Sequence, residues 1–262
     1  MKNNQRKTAK KNKFIPIKIL VFIGMVIFST VKTQAQSKTV TVTHFDKVIV
    51  SPHIQVVFKQ GDEETVTIEN ISVPHEKINI EVHGKTLRLY LDDAKMVTKS
   101  EKVRRDKWQG RRSIYKGTIV TATVTYTALK ELSLRGEETF ICESPLEVDS
   151  FRLKIYGGSQ VYLNEVKLQS LRATIYGNSY LEIKGGSIER QKFTAYGESK
   201  INTLEVNNET TKITAYGEGS FRFNVSENLK ITAYGEAIVA YEGNPEVQRG
   251  IVIGEATIQK IR

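Results

Sequence analysis

The chain has 262 residues, 39% hydrophobic and 26% charged. That suffices for one large or two small packed domains and excludes wholesale disorder and a polytopic membrane protein. The formal charge of +10 suggests nucleic-acid binding, but eight Lys or Arg and no acid fall in residues 1–35, leaving 31 basic against 29 acidic residues. The basic character belongs largely to that segment, and nucleic acid is not expected as a partner.

Residues 1–35 read as a secretory signal. Lys2, Arg6, Lys7, Lys10, Lys11 and Lys13 form a positive n-region, residues 19–28 are apolar throughout, and Thr33-Gln34-Ala35 offers small residues at positions −3 and −1 of a cleavage site. The apolar stretch is shorter than the about 20 residues a membrane span needs. An uncleaved anchor is the rival reading and would be the only membrane contact. The expected destination is the periplasm, the cell surface or the exterior. Residues 36–262 then read as a single domain.

Residues 36–128 read as strands and hairpins. The run His53-Ile54-Gln55-Val56-Val57-Phe58 and the run Thr65-Val66-Thr67-Ile68 flank Gln60-Gly61-Asp62-Glu63. Two further alternating runs, at 78–82 and 86–91, flank His83-Gly84-Lys85, and both joints are hairpin or corner signals. Residues 95–116 interrupt this pattern with nine basic residues against Glu101 and Asp106. Arg104, Arg105, Trp108, Arg111 and Arg112 suit an anionic glycan or lipid headgroups; the alternative is a solvated insertion between strands. Cys142, the one cysteine, cannot form an internal disulfide and reads as a small core residue.

From residue 129 the chain repeats. Lys154-Ile155-Tyr156-Gly157 returns as Thr174-Ile175-Tyr176-Gly177, Thr194-Ala195-Tyr196-Gly197, Thr214-Ala215-Tyr216-Gly217 and Thr232-Ala233-Tyr234-Gly235. Degenerate copies end at Gly136 and Gly254, so seven glycines stand 18–21 residues apart. Apolar and polar residues alternate on both sides of each glycine, and no helical period is sustained. Parallel strands with connections this short can pair only by winding. The fold class predicted is all-β: a parallel β-helix, or solenoid, of about seven coils of about 20 residues. The strands of residues 36–128 should cap it. An antiparallel meander would need hairpin turns at half the period, which are absent.

Stacked coils turn each repeated position into a column. Ile155, Ile175, Ala195, Ala215, Ala233 and Ile253 should face the core. Tyr156, Tyr176, Tyr196, Tyr216 and Tyr234 should face outward, with Thr194 and Thr214 in a neighbouring outer column. That strip either stacks on itself or receives an envelope glycan or protein. Glu198, Glu218 and Glu236, one step past the glycines, are candidate ligands for a cation such as Ca²⁺. They could equally splay into water or pair with Lys200 and Arg222.

Catalytic equipment is sparse. No Asp, His or Cys follows Asp149, and the four histidines of the first half lack a metal-ligand spacing. The expectation is a non-enzyme without cofactor, adhesin-like or structural in role. The alternative is a carbohydrate-active enzyme like the β-helix polysaccharide lyases, with Glu198, Glu218 and Arg222 as the near match to their sites.

The run Phe45-Asp46-Lys47-Val48-Ile49-Val50, then Ile54-Gln55-Val56-Val57-Phe58-Lys59-Gln60-Gly61, resembles the opening of the head GIN domain family. Gly84-Lys85-Thr86-Leu87-Arg88-Leu89 and the glycine corners resemble it too. The family comprises exported proteins of the auto-transporter adhesin type, found largely in Bacteroidetes-type bacteria. The resemblance covers about residues 43–262 and implies a β-solenoid with a role in adhesion or at the cell surface. It transfers no catalytic residue. The corners here read Tyr-Gly-Glu or Tyr-Gly-Asn where the family commonly has Gly-Ser-Gly-Asp.

Overall fold

The computed structural model describes residues 37–105 and 108–261, without the side chains of residues 104–109. The segment read as a secretory signal and the side chains of Arg104, Arg105 and Trp108 lie outside the described residues. Among these residues the chain is built of strands and contains no α-helix.

From Glu131 to Lys260 the chain winds about six times. Seven glycine corners bound six intervals, so the sequence had counted corners rather than turns. The middle coils have a long and a short strand, as in Val166–Tyr176 then Tyr180–Ile183, or Gly186–Tyr196 then Ser199–Thr203, whereas in the last two one strand, Asn228–Glu242 or Glu246–Lys260, runs through the corner. All stack in parallel, and up to the last strand in register: Thr174 lies against Thr194, Ile175 against Ala195, Tyr176 against Tyr196. The long strands bend once. Pairing from Val166↔Gly186 to Leu168↔Ile188 breaks and resumes at Ser170↔Arg190. Every coil therefore has three flat sides: a short one, a long one of about seven residues and the side of the second strand.

The corner glycines are required by geometry. Gly157 and Gly177 have φ of 103° and 102°, a region that L side chains rarely adopt. A Cβ on either would also strike the carbonyl oxygen of the glycine one coil below. A serine just past three successive corners ties the coils together. Ser159 Oγ donates to Gly136 O at 2.9 Å, Ser179 to Gly157 O at 3.0 Å and Ser199 to Gly177 O at 3.1 Å.

The interior is the alternation made solid. Ile155, Ile175, Ala195, Ala215 and Ala233 are buried as expected, as are Phe151, Phe193, Phe221, Phe223 and Cys142. Ile253 is not in the core; it is 62% exposed. Ile231 pairs with Arg249 but Ala233 with Val252, so Gly250 and Ile251 oppose the single residue Thr232. This bulge moves Ile253 into the outward tyrosine column and Val252 into the inward one. The interior also holds a polar knot. Gln191 Nε2 donates to Thr211 Oγ1 at 2.8 Å, and Thr211 Oγ1 donates to Asn208 Oδ1 at 2.6 Å. Asn208 Nδ2 in turn donates to Ile188 O at 2.8 Å, closing the bend of the long strand.

Residues 38–126 cap this stack by a route that does not follow chain order. Lys47–Val50 and Ile54–Gln60 lie directly under the first coil, in parallel. Beneath them, also parallel, lie Thr86–Leu91 and Val120–Tyr126. Antiparallel strands then end each side: Ile78–His83 beside Thr86–Leu91, and Thr65–Ile71 followed by Lys38–Thr41 beside Val120–Tyr126. Ile78–His83 and Thr86–Leu91 form the expected hairpin. Ile54–Gln60 and Thr65–Ile71 do not pair, because Val120–Tyr126 lies between them.

Candidate binding face

The long side of the coil carries three outward columns, spaced two residues apart along each strand. The first is the expected tyrosine column. Successive rings of Tyr156, Tyr176, Tyr196, Tyr216 and Tyr234 stand 4.8–5.0 Å apart, with interplanar angles of 2–6°. This is the strand spacing itself, so the ring faces are spent on one another and the strip shows edges and hydroxyls. Arg135 holds the position below Tyr156, with its guanidinium carbon 4.2 Å from that ring centroid. The cation closes the stack at the cap end. Tyr176, Tyr196 and Tyr216 are 37–40% exposed.

The second column is Lys154, Thr174, Thr194, Thr214 and Thr232, half-buried between its neighbours. The third column went unread in the sequence: Arg152, Arg172, Lys192, Lys212 and Lys230, all exposed. A basic residue stands five places before the corner glycine in each of these repeats. Aligning the repeats two residues further back would have found it.

The same column continues into the cap, where Glu131 lies between Lys47 and Arg152. Glu131 gathers Lys154 at 3.0 Å, Lys47 at 3.1 Å and Arg152 at 3.2 Å. Burial opposes its ionisation, but the bonds from Lys154 and Lys47 outweigh that and hold the carboxyl below the ordinary range.

Both edges of the long side are acidic corners over shallow grooves. One groove, of about 390 Å³, is lined by Glu198, Glu218, Glu236 and Glu255 with Lys200 and Ser220. The other, of about 620 Å³, is lined by Asp149, Glu189 and Glu209 with Gln169 and Asn208. The expected glutamate column thus exists, but among the described residues no three acidic, histidine or cysteine side chains are grouped closely enough to hold a metal ion. Nor do Lys200 or Arg222 form ion pairs with it among the described residues. Glu198 Oε2 meets Asn178 Nδ2 at 3.5 Å.

The basic insertion forms a separate two-stranded hairpin, Ser100–Arg105 with Trp108–Ser113. Arg111 and Arg112 are exposed on it, and Arg112 pairs with Glu101 at 2.7 Å. No described contact joins these arginines to the tyrosine strip. The approach to the hairpin does reach it: Met96 and Val97, both exposed, share a hollow of about 320 Å³ with Arg135 and Tyr156.

The profile of a family described as "Putative auto-transporter adhesin, head GIN domain" matches residues 44–245. The chain belongs to this family. Fourteen solved chains match this chain in structure. One, described as "a putative adhesin", comes from Bacteroides fragilis NCTC 9343, with a TM-score of 0.70, 20% identity and coverage of 86% of this chain and 96% of that chain. Another of the same description, from Parabacteroides merdae ATCC 43184, has a TM-score of 0.61, 20% identity and coverage of 86% and 95%. A third, described as "Putative lipid binding protein", from Parabacteroides distasonis ATCC 8503, has a TM-score of 0.64, 16% identity and coverage of 87% and 96%. At these identities the likeness is one of fold. No curated protein matches the chain.

Proposed function

We propose that this head GIN chain is an exported, non-enzymatic module of the cell envelope that binds an envelope glycan or protein through the long side of its solenoid. The observation that carries the reading is the in-register row of Tyr176, Tyr196 and Tyr216, kept more than one third exposed in successive coils. The core does not need this row, since every second residue already points inward and fills it. A flat outer face repeated coil after coil suits an extended partner lying along the axis. The adhesin description of the family supports a binding role and a surface or exported location.

Tyr196→Ser combined with Tyr216→Ser tests the reading on an array of glycans and envelope proteins. Loss of the bound component with the fold retained supports it. Undiminished binding removes the strip from consideration. Release of product from an acidic polysaccharide with Ca²⁺ present, abolished by Glu218→Gln, would instead point to the enzymatic alternative.

A further inference from the structure

The basic column carries an inference about ligand class that rests on the strip reading above. Like charges placed directly opposite one another weaken a sheet. Where the column meets the cap, the sequence supplies the remedy, because Glu131 neutralises Lys47, Arg152 and Lys154. Above that point Arg172, Lys192, Lys212 and Lys230 stack in register, and no ion pair among the described residues involves any of them. Four cations thus stand in a line at about the strand spacing of 4.8 Å, with their counter-charge left to something outside the fold.

The neighbouring columns say what that something is. The short threonines Thr174, Thr194, Thr214 and Thr232 lie between the long basic side chains and the tyrosines, which makes a trough parallel to the axis. Its floor and one wall present hydroxyls, and its other wall presents cations. Because the tyrosine faces are consumed by self-stacking at 4.8–5.0 Å, the trough offers no platform for bases, which a single-stranded nucleic acid would need. The acidic corners, Glu189 and Glu209 on one side and Glu198 and Glu218 on the other, repel a polyanion at the edges and keep it centred. We propose that the trough takes a linear acidic polysaccharide laid along the coil axis, with carboxylates over Arg172, Lys192, Lys212 and Lys230 and ring hydroxyls over the threonine and tyrosine hydroxyls. One sugar of an extended chain covers roughly one coil, so charge and hydroxyl recur on both partners with similar period.

Polygalacturonate is the probe, with a neutral glucan oligomer and poly-L-glutamate as controls. The combined variant Arg172→Gln, Lys192→Gln and Lys212→Gln changes only exposed side chains, so circular dichroism should match the parent. Its affinity for polygalacturonate should fall about tenfold or more, the equivalent of about 1.4 kcal/mol. Most of the salt dependence should disappear with it. Unchanged affinity for polygalacturonate overturns the proposal. So does poly-L-glutamate binding as tightly as polygalacturonate, because charge alone would then suffice. If the tyrosine double variant loses a neutral glycan or a protein while the charge variant loses nothing, the strip reading stands and the acidic-polysaccharide reading falls. If both variants bind everything the parent binds, both readings fall.

Discussion

The repeat coils and the cap are held by opposite strategies. In the coils nearly every residue meets its counterpart one turn away: tyrosine on tyrosine, threonine beside threonine, serine to the glycine carbonyl beneath. In the cap and first coil the decisive contacts occur once each. Glu64 accepts from Thr127 Oγ1 at 2.7 Å and pairs with His44 at 2.8 Å. Burial opposes its ionisation, yet these bonds and the Phe45 amide hold its carboxyl below the ordinary range. Glu131 gathers three cations, and Glu138 takes the corner position that serine holds in the next three coils, its carboxylate accepting from the Glu137 amide at 2.9 Å. All the carboxyls with shifted acidity among the described residues, Glu64, Glu81, Glu131 and Glu138, lie in this region. A repeat spreads its stability over many equal small terms. A cap, which must stop the pairing, depends on a few unequal ones.

Four substitutions probe that contrast, from the largest expected effect to the smallest. Phe193→Ala empties a fully buried site beside Phe223, 5.5 Å away between ring centroids, and should cost about 3–5 kcal/mol in urea unfolding. A loss below about 1 kcal/mol would mean that the coils repack freely. Gly177→Ala forces a side chain into a positive φ and onto the carbonyl of Gly157. It should cost about 2–3 kcal/mol, and hydrogen exchange should quicken in adjoining coils while the cap stays protected. Quickening confined to the cap would refute the nearest-neighbour picture of the stack.

Glu131→Gln removes the shared partner of three half-exposed cations and should cost about 1–2 kcal/mol at neutral pH. A carboxyl whose folded pKa is lowered contributes stability that is present above its ordinary value, about 4.3, and lost as pH falls through the lowered one. The gap between parent and variant should therefore close on acidification below pH about 4. A gap constant down to pH about 2 would show that the hub is steric. Glu138 has the opposite sign: burial raises its pKa, so its contribution declines as pH rises from the ordinary value through the raised one. Tyr196→Ser breaks two ring pairs worth about 0.5–1.5 kcal/mol each beyond burial, partly offset because the ring is more than one third exposed. The melting temperature should fall by only a few degrees, while ligand binding is lost. A melting change as large as that of Gly177→Ala would make the strip a structural element.

Much of the coil was legible because its information is local and repeated. One glycine with a tyrosine before it, seen five times, establishes period, parallel pairing and outward side together. Cys142 was readable as core from Phe140 and Ile141 beside it. The cap was not readable to the same depth. That Val120–Tyr126 inserts between Ile54–Gln60 and Thr65–Ile71 is a long-range choice with no signature in either run. The bulge opposite Thr232 was hidden because one extra residue looks like a missing tyrosine until the register is known. The basic column escaped because it changes from Arg to Lys after its second member, and a search for identical letters passes over a repeated charge. The exposed hydroxyls of the binding face were in plain view, but that the ring faces are consumed internally follows only from the inter-ring distance.

The constant register between coils also has a bearing on length. Because each turn from Arg172 to Tyr234 contributes one tyrosine, one threonine and one cation at fixed positions, deleting or duplicating one such unit would shorten or extend the trough by one rung and leave its cross-section alone. Contact with a polymer would then grow in equal steps, so that a chain of this architecture can tune grip by repeat number while every side chain in the trough stays as it is.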